Sequence, residues 1–350
     1  MTRSRCARRL PRRALAAVVG ALALLALTVL LPGASARFTS VTGNPAGAWA
    51  TDGVAPPTGF SAALACATTP VAFRSVATAT GTETLTLPVP TGTVAGDLLL
   101  VHIAHSWTGA PFTTPAGWTH VRTDNSANTI VSALYWKKAA TGEASATFSY
   151  PPGSSVKMGG AMAAYTGADT TTPVDDHSGQ VGTGTSATTP AVTTATAGTL
   201  VLRLISHAAQ PHPAPTGTTP RWSVGPVSGL GGYSAGDEQV TGAGPVSSRS
   251  SASTGTSAAW VGQTVALRRA PGTPQAALSW TASPSTWASG YRLERRSGAT
   301  VQSDRSITPI STTSATEGPL VNGTSYTFRL WAHRGTWTST VATASLTPSC

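Results

Sequence analysis

Leu278-Ser279-Trp280, Gly290-Tyr291-Arg292-Leu293-Glu294 and Leu320-Val321-Asn322-Gly323-Thr324-Ser325-Tyr326-Thr327-Phe328-Arg329-Leu330-Trp331 read as strands of one small β-sandwich. That sandwich lacks a first strand next to it in the chain. The best candidate lies about 200 residues upstream, at Pro56-Pro57-Thr58-Gly59-Phe60-Ser61-Ala62-Ala63-Leu64-Ala65-Cys66. On this reading the middle of the chain is an insert.

Composition agrees with an all-β protein. The 350 residues suffice for two domains and a short leader. Only 10% are charged, Gly and Pro are plentiful, and the apolar residues come in short runs rather than helical stripes. The net charge of +10 suggests nucleic acid at first sight. Six of the 23 basic residues (Arg3, Arg5, Arg8, Arg9, Arg12 and Arg13) precede an apolar leader, however, so the exported remainder holds 17 against 13 acids. An excess that small and dispersed does not argue for a nucleic-acid partner.

The leader has a basic start, an apolar run from Ala14 to Leu31, a Pro32-Gly33 break and then Ala34-Ser35-Ala36. Residues 1–36 are therefore a signal peptide cut before Arg37 or, since the run has 18 residues, a helical membrane anchor. Both outcomes export the rest, and any membrane contact runs through an uncleaved leader. Cys6 goes with the leader, which leaves Cys66 and Cys350 as a pair in an oxidising compartment, where a disulfide is the default. Residues 37–55 alternate polar and apolar side chains around Asn44-Pro45. They resemble the stretch that follows the leader in exported surface and matrix proteins of Gram-positive bacteria.

The C-terminal segment, 274–350, resembles a fibronectin type III module. Leu278-Ser279-Trp280 matches its second strand with Trp280 in the core, Gly290 to Leu293 its third, and Leu320 to Tyr326 the corner that opens its sixth. The resemblance implies a Pro-rich first strand, which residues 56–69 fit. It also implies that the first and last strands run in the same sense, so that Cys66 and Cys350 finish near one pole. The alternative is two ordinary tandem domains with unpaired or intermolecular thiols.

The insert, 70–270, repeats itself. Gly96 to His105 aligns with Gly198 to His207, Pro115 to Thr119 with Pro215 to Thr219, and Gly160 to Tyr165 with Gly262 to Leu267. Two such halves suggest a duplicated half-sandwich closing into one larger sandwich. The runs Leu98 to Ile103 and Leu200 to Ile205 are apolar enough for strands buried on both faces. The motifs Gly96 to Leu100, Pro115 to Trp118, Tyr135 to Lys137 and Tyr165 to Asp175 resemble the jelly-roll-like domains of bacterial surface and phage tail proteins.

Candidate chemistry is thin. His102 and His105, three apart on one strand, point to opposite faces and do not share a metal without a bulge. His105 and His207 occupy equivalent repeat positions, while His212 reads as a loop residue. Asp169, Asp175 and Asp176 form the best acidic cluster, and calcium is the one ion it suggests; otherwise no cofactor or metal is expected. Asp237 and Glu238 read as a Gly-rich turn. Neither a Gly-x-Ser-x-Gly elbow nor a nucleotide-binding glycine loop is present. Trp118 and Trp136 read as core and Trp280, Trp287, Trp331 and Trp337 as the core and rim of the C-terminal sandwich, whereas Trp107 follows a strand in a Gly-Pro loop, where an exposed indole suits a sugar ring.

The expectation is a non-catalytic, extracellular or cell-surface module that binds polysaccharide or cell-wall glycan through Trp107, Asp175 and Asp176. The alternatives are a structural or adhesive protein without a small ligand and, behind it, a secreted hydrolase using the acidic loop with His105 or His207.

Overall fold

The computed structural model describes residues 53–106 and 112–350. The leader and almost all of the 37–55 segment lie outside the described residues. Every regular element described is a β-strand. One sheet of the C-terminal sandwich has the order β1 (Thr58–Ala67), β18 (Thr273–Thr281), β21 (Ser314–Glu317). The facing sheet runs β20 (Thr300–Ile307), β19 (Gly290–Ser297), β22 (Tyr326–Arg334), and β22 also pairs with β23 (Trp337–Thr338) and β24 (Ala342–Leu346). β1 and β18 are antiparallel from Ser61 opposite Ser279 to Ala67 opposite Thr273, although some 200 residues separate them in the chain.

The period of two in the sequence is the period of burial. Ala276, Leu278 and Trp280 on β18 face Tyr291 and Leu293 on β19 and Phe328 and Leu330 on β22, while the residues between them turn outward. Trp280 meets Phe60 and Tyr291 edge-on, at 6.1 and 5.4 Å between ring centroids. Two phenols pin the connections: Tyr326 accepts the Val321 N–H at 3.1 Å, and Tyr291 accepts the Ser283 N–H and donates to the Ile310 carbonyl. Val54 is buried in the same core, so the sandwich begins ahead of Pro56. Cys66, at the end of β1, is joined to Cys350 with a Cα to Cα distance of 5.9 Å.

Between β1 and β18 lie two five-stranded sheets. The first runs β2 (Ala72–Thr82), β8 (Lys157–Thr166), β4 (Leu98–Ser106), β6 (Ile130–Lys138), β5 (Thr119–Ser126). The second runs β9 (Val174–Gly184), β17 (Ala258–Leu267), β12 (Thr199–His207), β14 (Gly231–Val240), β13 (Thr219–Val227). The orders match strand for strand: in each sheet the first strand in the chain is at one edge beside the last. Small two-stranded flaps accompany them: β3 (Thr84–Leu87) with β7 (Ala146–Ser149), β10 (Ser186–Thr189) with β16 (Arg249–Ala252), and β11 (Val192–Thr194) with β15 (Gly244–Val246).

The continuous apolar runs follow from this layering. Leu98, Leu100 and Ala104 of β4 pack with Leu200, Leu202 and Leu204 of β12 in the core between the large sheets. Leu99, Val101 and Ile103 point the other way and meet Leu85, Leu87 and Phe148 of the first flap. On β12 the outward residues Val201 and Ile205 pack with Val192 and Ala187 of the second pair of flaps. A strand covered on both faces has no reason to alternate. Where the sheets approach most closely, a Cβ on Gly159 would stand 2.5 Å from Cε1 of Tyr233, so only glycine admits that ring. Tyr233 spans the gap and donates toward the Gly160 carbonyl at 3.0 Å.

Candidate functional site

The acidic residues do not converge. Asp175 accepts from the Ala195 and Thr196 N–H groups, from Thr196 Oγ1 and from Arg268 at 2.9 Å. Burial raises its carboxyl, but those bonds win and hold it below the usual carboxylate range. Asp176 accepts the Thr193 N–H, and Asp169 accepts from Thr171 and Thr172 within its own turn. Among the described residues no three His, Cys, Asp or Glu side chains gather as a metal would need. Asp237 and Glu238 are not in a turn, as their glycine neighbours suggest, but in β14, the second strand from the sheet edge. They flank its two faces, Asp237 paired with Arg221 and Glu238 with Arg203 and Arg249. Every described side-chain carboxylate in fact has an internal donor, down to Glu83, which accepts the Ser155 N–H.

The histidines part company. His102 faces the core between the large sheets, against Trp222 and Tyr233, and its Nε2 lies 3.0 Å from Ser132 Oγ and 2.9 Å from Ser206 Oγ. Ser132 donates to Gln263 Oε1, Gln263 donates to Asp124, and Asp124 receives both arms of Arg122. Serine, histidine and acid are here in the wrong connection: the acid bonds glutamine, not imidazole, and His102 Nδ1 has no partner among the described residues. A triad needs the acid on the second ring nitrogen and an accessible hydroxyl, and both serines here are buried. The relay ties the two halves of the insert together. His105 faces outward under Phe112 and Tyr150, and His207 bonds the Gly184 carbonyl and stacks near His212, so the two repeat-equivalent histidines do not meet. His212 is in a loop, yet fully covered.

Burial pushes His102 down to about 3. In the unfolded chain an imidazole titrates near 6.5, so below that pH the unfolded state takes up a proton that the fold refuses. This contribution is constant above pH 6.5 and falls as pH drops toward 3. Between pH 6.5 and 4.5, while most carboxylates stay ionised, it should remove about 2–3 kcal/mol of stability. Urea titrations over this range should show that loss in the native chain and a shallower slope in His102→Gln; equal slopes would refute the assignment.

Trp107 lies outside the described residues. Trp118 and Trp136 are half-buried and pack against the two cores of the insert. Trp280 and Tyr326 sit in the C-terminal core. Among the described residues, the aromatic that stands in solvent is one that the sequence groups with the core and rim of its sandwich. Trp337 is 62% exposed and is the only aromatic among the large exposed apolar side chains described. It closes a two-residue hairpin, with Arg334 paired across from it and Gly335 at φ +56°, in the position that type II′ turns reserve for glycine. The signal was present in Arg334-Gly335-Thr336-Trp337, where a tight turn leaves its flanking residue no core to enter. Trp287, in the loop from β18 to β19, stands 6.1 Å from Trp337 at 86°.

Two clefts among the described residues lie away from Trp337. One of 270 Å³, at the chain's return from the insert, is lined by Cys66, Cys350, Asp169, Arg268 and Arg269; another of 420 Å³ lies between Gln210 and Gly255.

The chain matches no protein-family model and no curated protein. Among solved structures it is similar to a two-domain fibronectin type III segment of chicken tenascin, with 14% identity over 50% of this chain and 100% of that one, at a TM-score of 0.19. It is also similar to the FN1–FN3 domains of chicken CNTN1, with 12% identity over 81% of this chain and 99% of that one, again at 0.19. The C-terminal sandwich is defined by its own strand order and not by these superpositions.

Proposed function

We propose that the chain is a non-catalytic exported module that binds polysaccharide or cell-wall glycan at the cell surface. The observation that carries this reading is a contrast. Among the described residues, the groups that would do acid, base or metal chemistry are committed to one another inside the fold, whereas a single indole is presented to solvent on a braced loop. The disulfide and the leader pattern support export. The matched strand orders of the two large sheets support the insert as a duplicated jelly-roll-like sandwich, a scaffold rather than a cleft.

Retention of the full chain on purified cell wall and on a panel of insoluble polysaccharides tests the reading. Retention on at least one polymer, with no release of soluble sugar on long incubation, is the expected result. Sugar release would make the chain a hydrolase. Failure on every polymer would favour a structural or adhesive role without a small ligand.

A further inference from the structure

We propose that the pole of the C-terminal sandwich carrying Trp287, Arg334 and Trp337 is a site for an acidic glycan, with one sugar ring on Trp337 and a carboxylate of the polymer on Arg334. The inference rests on the glycan-binding reading above and adds the site and the ligand class.

The site is held in place before any ligand arrives. The loop carrying Trp287 turns on itself through Thr286 N–H to the Pro284 carbonyl and Ala288 N–H to the Ser285 carbonyl. It is fastened to the start of the sandwich by Ala55 N–H to Ser285 Oγ at 3.0 Å and Ser283 Oγ to the Ala55 carbonyl at 2.6 Å. Ser289 N–H donates to the His333 carbonyl and so ties the loop to β22, whose end opens the Trp337 hairpin. Arg334 Nη1 donates to the Trp287 carbonyl at 3.1 Å, with the guanidinium carbon 5.8 Å from the Trp287 ring centre. Two loops are thus joined by three kinds of contact, and a ligand meets little ordering cost.

The size of the apolar surface selects the occupant. The other large apolar side chains exposed among the described residues are aliphatic and come from separate elements: Leu64, Val94, Val181, Val301, Val321 and Val341. A protein partner needs about 800 Å² per side with a cluster of anchors. One open indole backed by a second at right angles is instead the size of a pyranose, whose apolar face stacks on a ring while its hydroxyls reach a polar rim. That rim is present in the exposed Thr286, Thr336 and Thr338.

Charge selects the class of sugar. Among the described residues, the exposed Arg334 forms no ion pair and has Nε and Nη2 without partners, while every side-chain carboxylate is already bonded. A guanidinium fork that the protein does not fill matches a carboxylate bidentately. A uronate polymer supplies both a ring and that carboxylate.

Affinity electrophoresis of the full chain in gels containing polygalacturonate, alginate or hyaluronate, each beside a neutral glucan, tests the proposal. The expected result is retardation by at least one uronate polymer, weakened about tenfold or more in Trp337→Ala. Arg334→Gln should lower retardation by the uronate polymer and blunt its salt dependence. Trp337 is exposed, so Trp337→Ala should leave thermal unfolding unchanged, and Arg334→Gln, which gives up only an exposed bond to the Trp287 carbonyl, should lower it slightly, so that a folding defect is separable. Retardation by a uronate polymer that is indifferent to Trp337→Ala would overturn the site while leaving glycan binding intact. Retardation by neutral glucan alone would overturn the ligand class, and no retardation by any uronate polymer would overturn the proposal even if the cell-wall panel retains the chain.

Discussion

Replacing Arg203 with methionine should cost about 3–5 kcal/mol of unfolding free energy. Its side chain is fully buried on the outer face of β12, beneath the flaps, and is the largest such side chain described. It reaches Glu238 with Nε and Nη2, the Pro190 carbonyl and Thr264 Oγ1 with Nη1, and the Ser247 carbonyl with Nη2. Methionine fills part of the volume but leaves the Ser247 carbonyl without its donor, the Pro190 carbonyl with Thr264 Oγ1 alone and Glu238 with Arg249 alone. Arg292 is the internal comparison: it also pairs through Nε and Nη2, with Asp304, but its side chain is 46% exposed, and its loss should shift the urea midpoint far less. Urea midpoints of the two variants provide the measurement; similar losses would mean that Glu238 and the flap carbonyls are rescued by water.

Removing the disulfide with Cys66→Ser and Cys350→Ser together should lower stability by about 2–4 kcal/mol, with an upper bound near 5 for a loop this long. The bond closes a sequence separation of 284, so most of the entropy of the unfolded chain falls inside it. The folded state already holds β1 by its pairing with β18, and that register does not depend on the bond. The double variant should therefore fold to the same strand content by circular dichroism and differ in its denaturation midpoint. Loss of the fold in non-reducing buffer would show that β1 cannot find β18 unaided.

Both effects bear on what a linear sequence reveals. The strand character of Leu278 to Trp280 and Tyr326 to Leu330 was legible because a half-buried strand writes its period into neighbouring residues. The double burial of Leu98 to Ile103 was legible because alternation is absent there. The partners of Arg203 were not, since Glu238, Ser247 and Thr264 lie 35, 44 and 61 residues beyond it and meet it only when β12, β14 and β17 lie side by side. Asp237 and Glu238 were misread as a turn because the glycines around them serve close packing: a Cβ on Gly236 would stand 2.3 Å from Thr218 Oγ1. Asp175 and Asp176 look available in sequence, being adjacent acids, and their donors come from residues 17 to 21 positions away and from Arg268. Trp337 was assigned to the core and rim with the other tryptophans of its domain, because composition alone does not separate a core indole from one at a hairpin tip.

The cross-link between Cys66 and Cys350 has a mechanical consequence. A load applied between Val54 and Cys350 travels along β1 and crosses the sulfur bridge directly. The two large sheets, their flaps and the pole with Trp337 hang beside that path and bear no tension. Pulling the oxidised chain from these two points should release only the dozen or so residues up to Cys66, while a reduced chain should pay out almost the whole contour. The fold would then work as a rope with its cargo on a closed side loop, able to hold a surface under shear without unravelling the part that touches it.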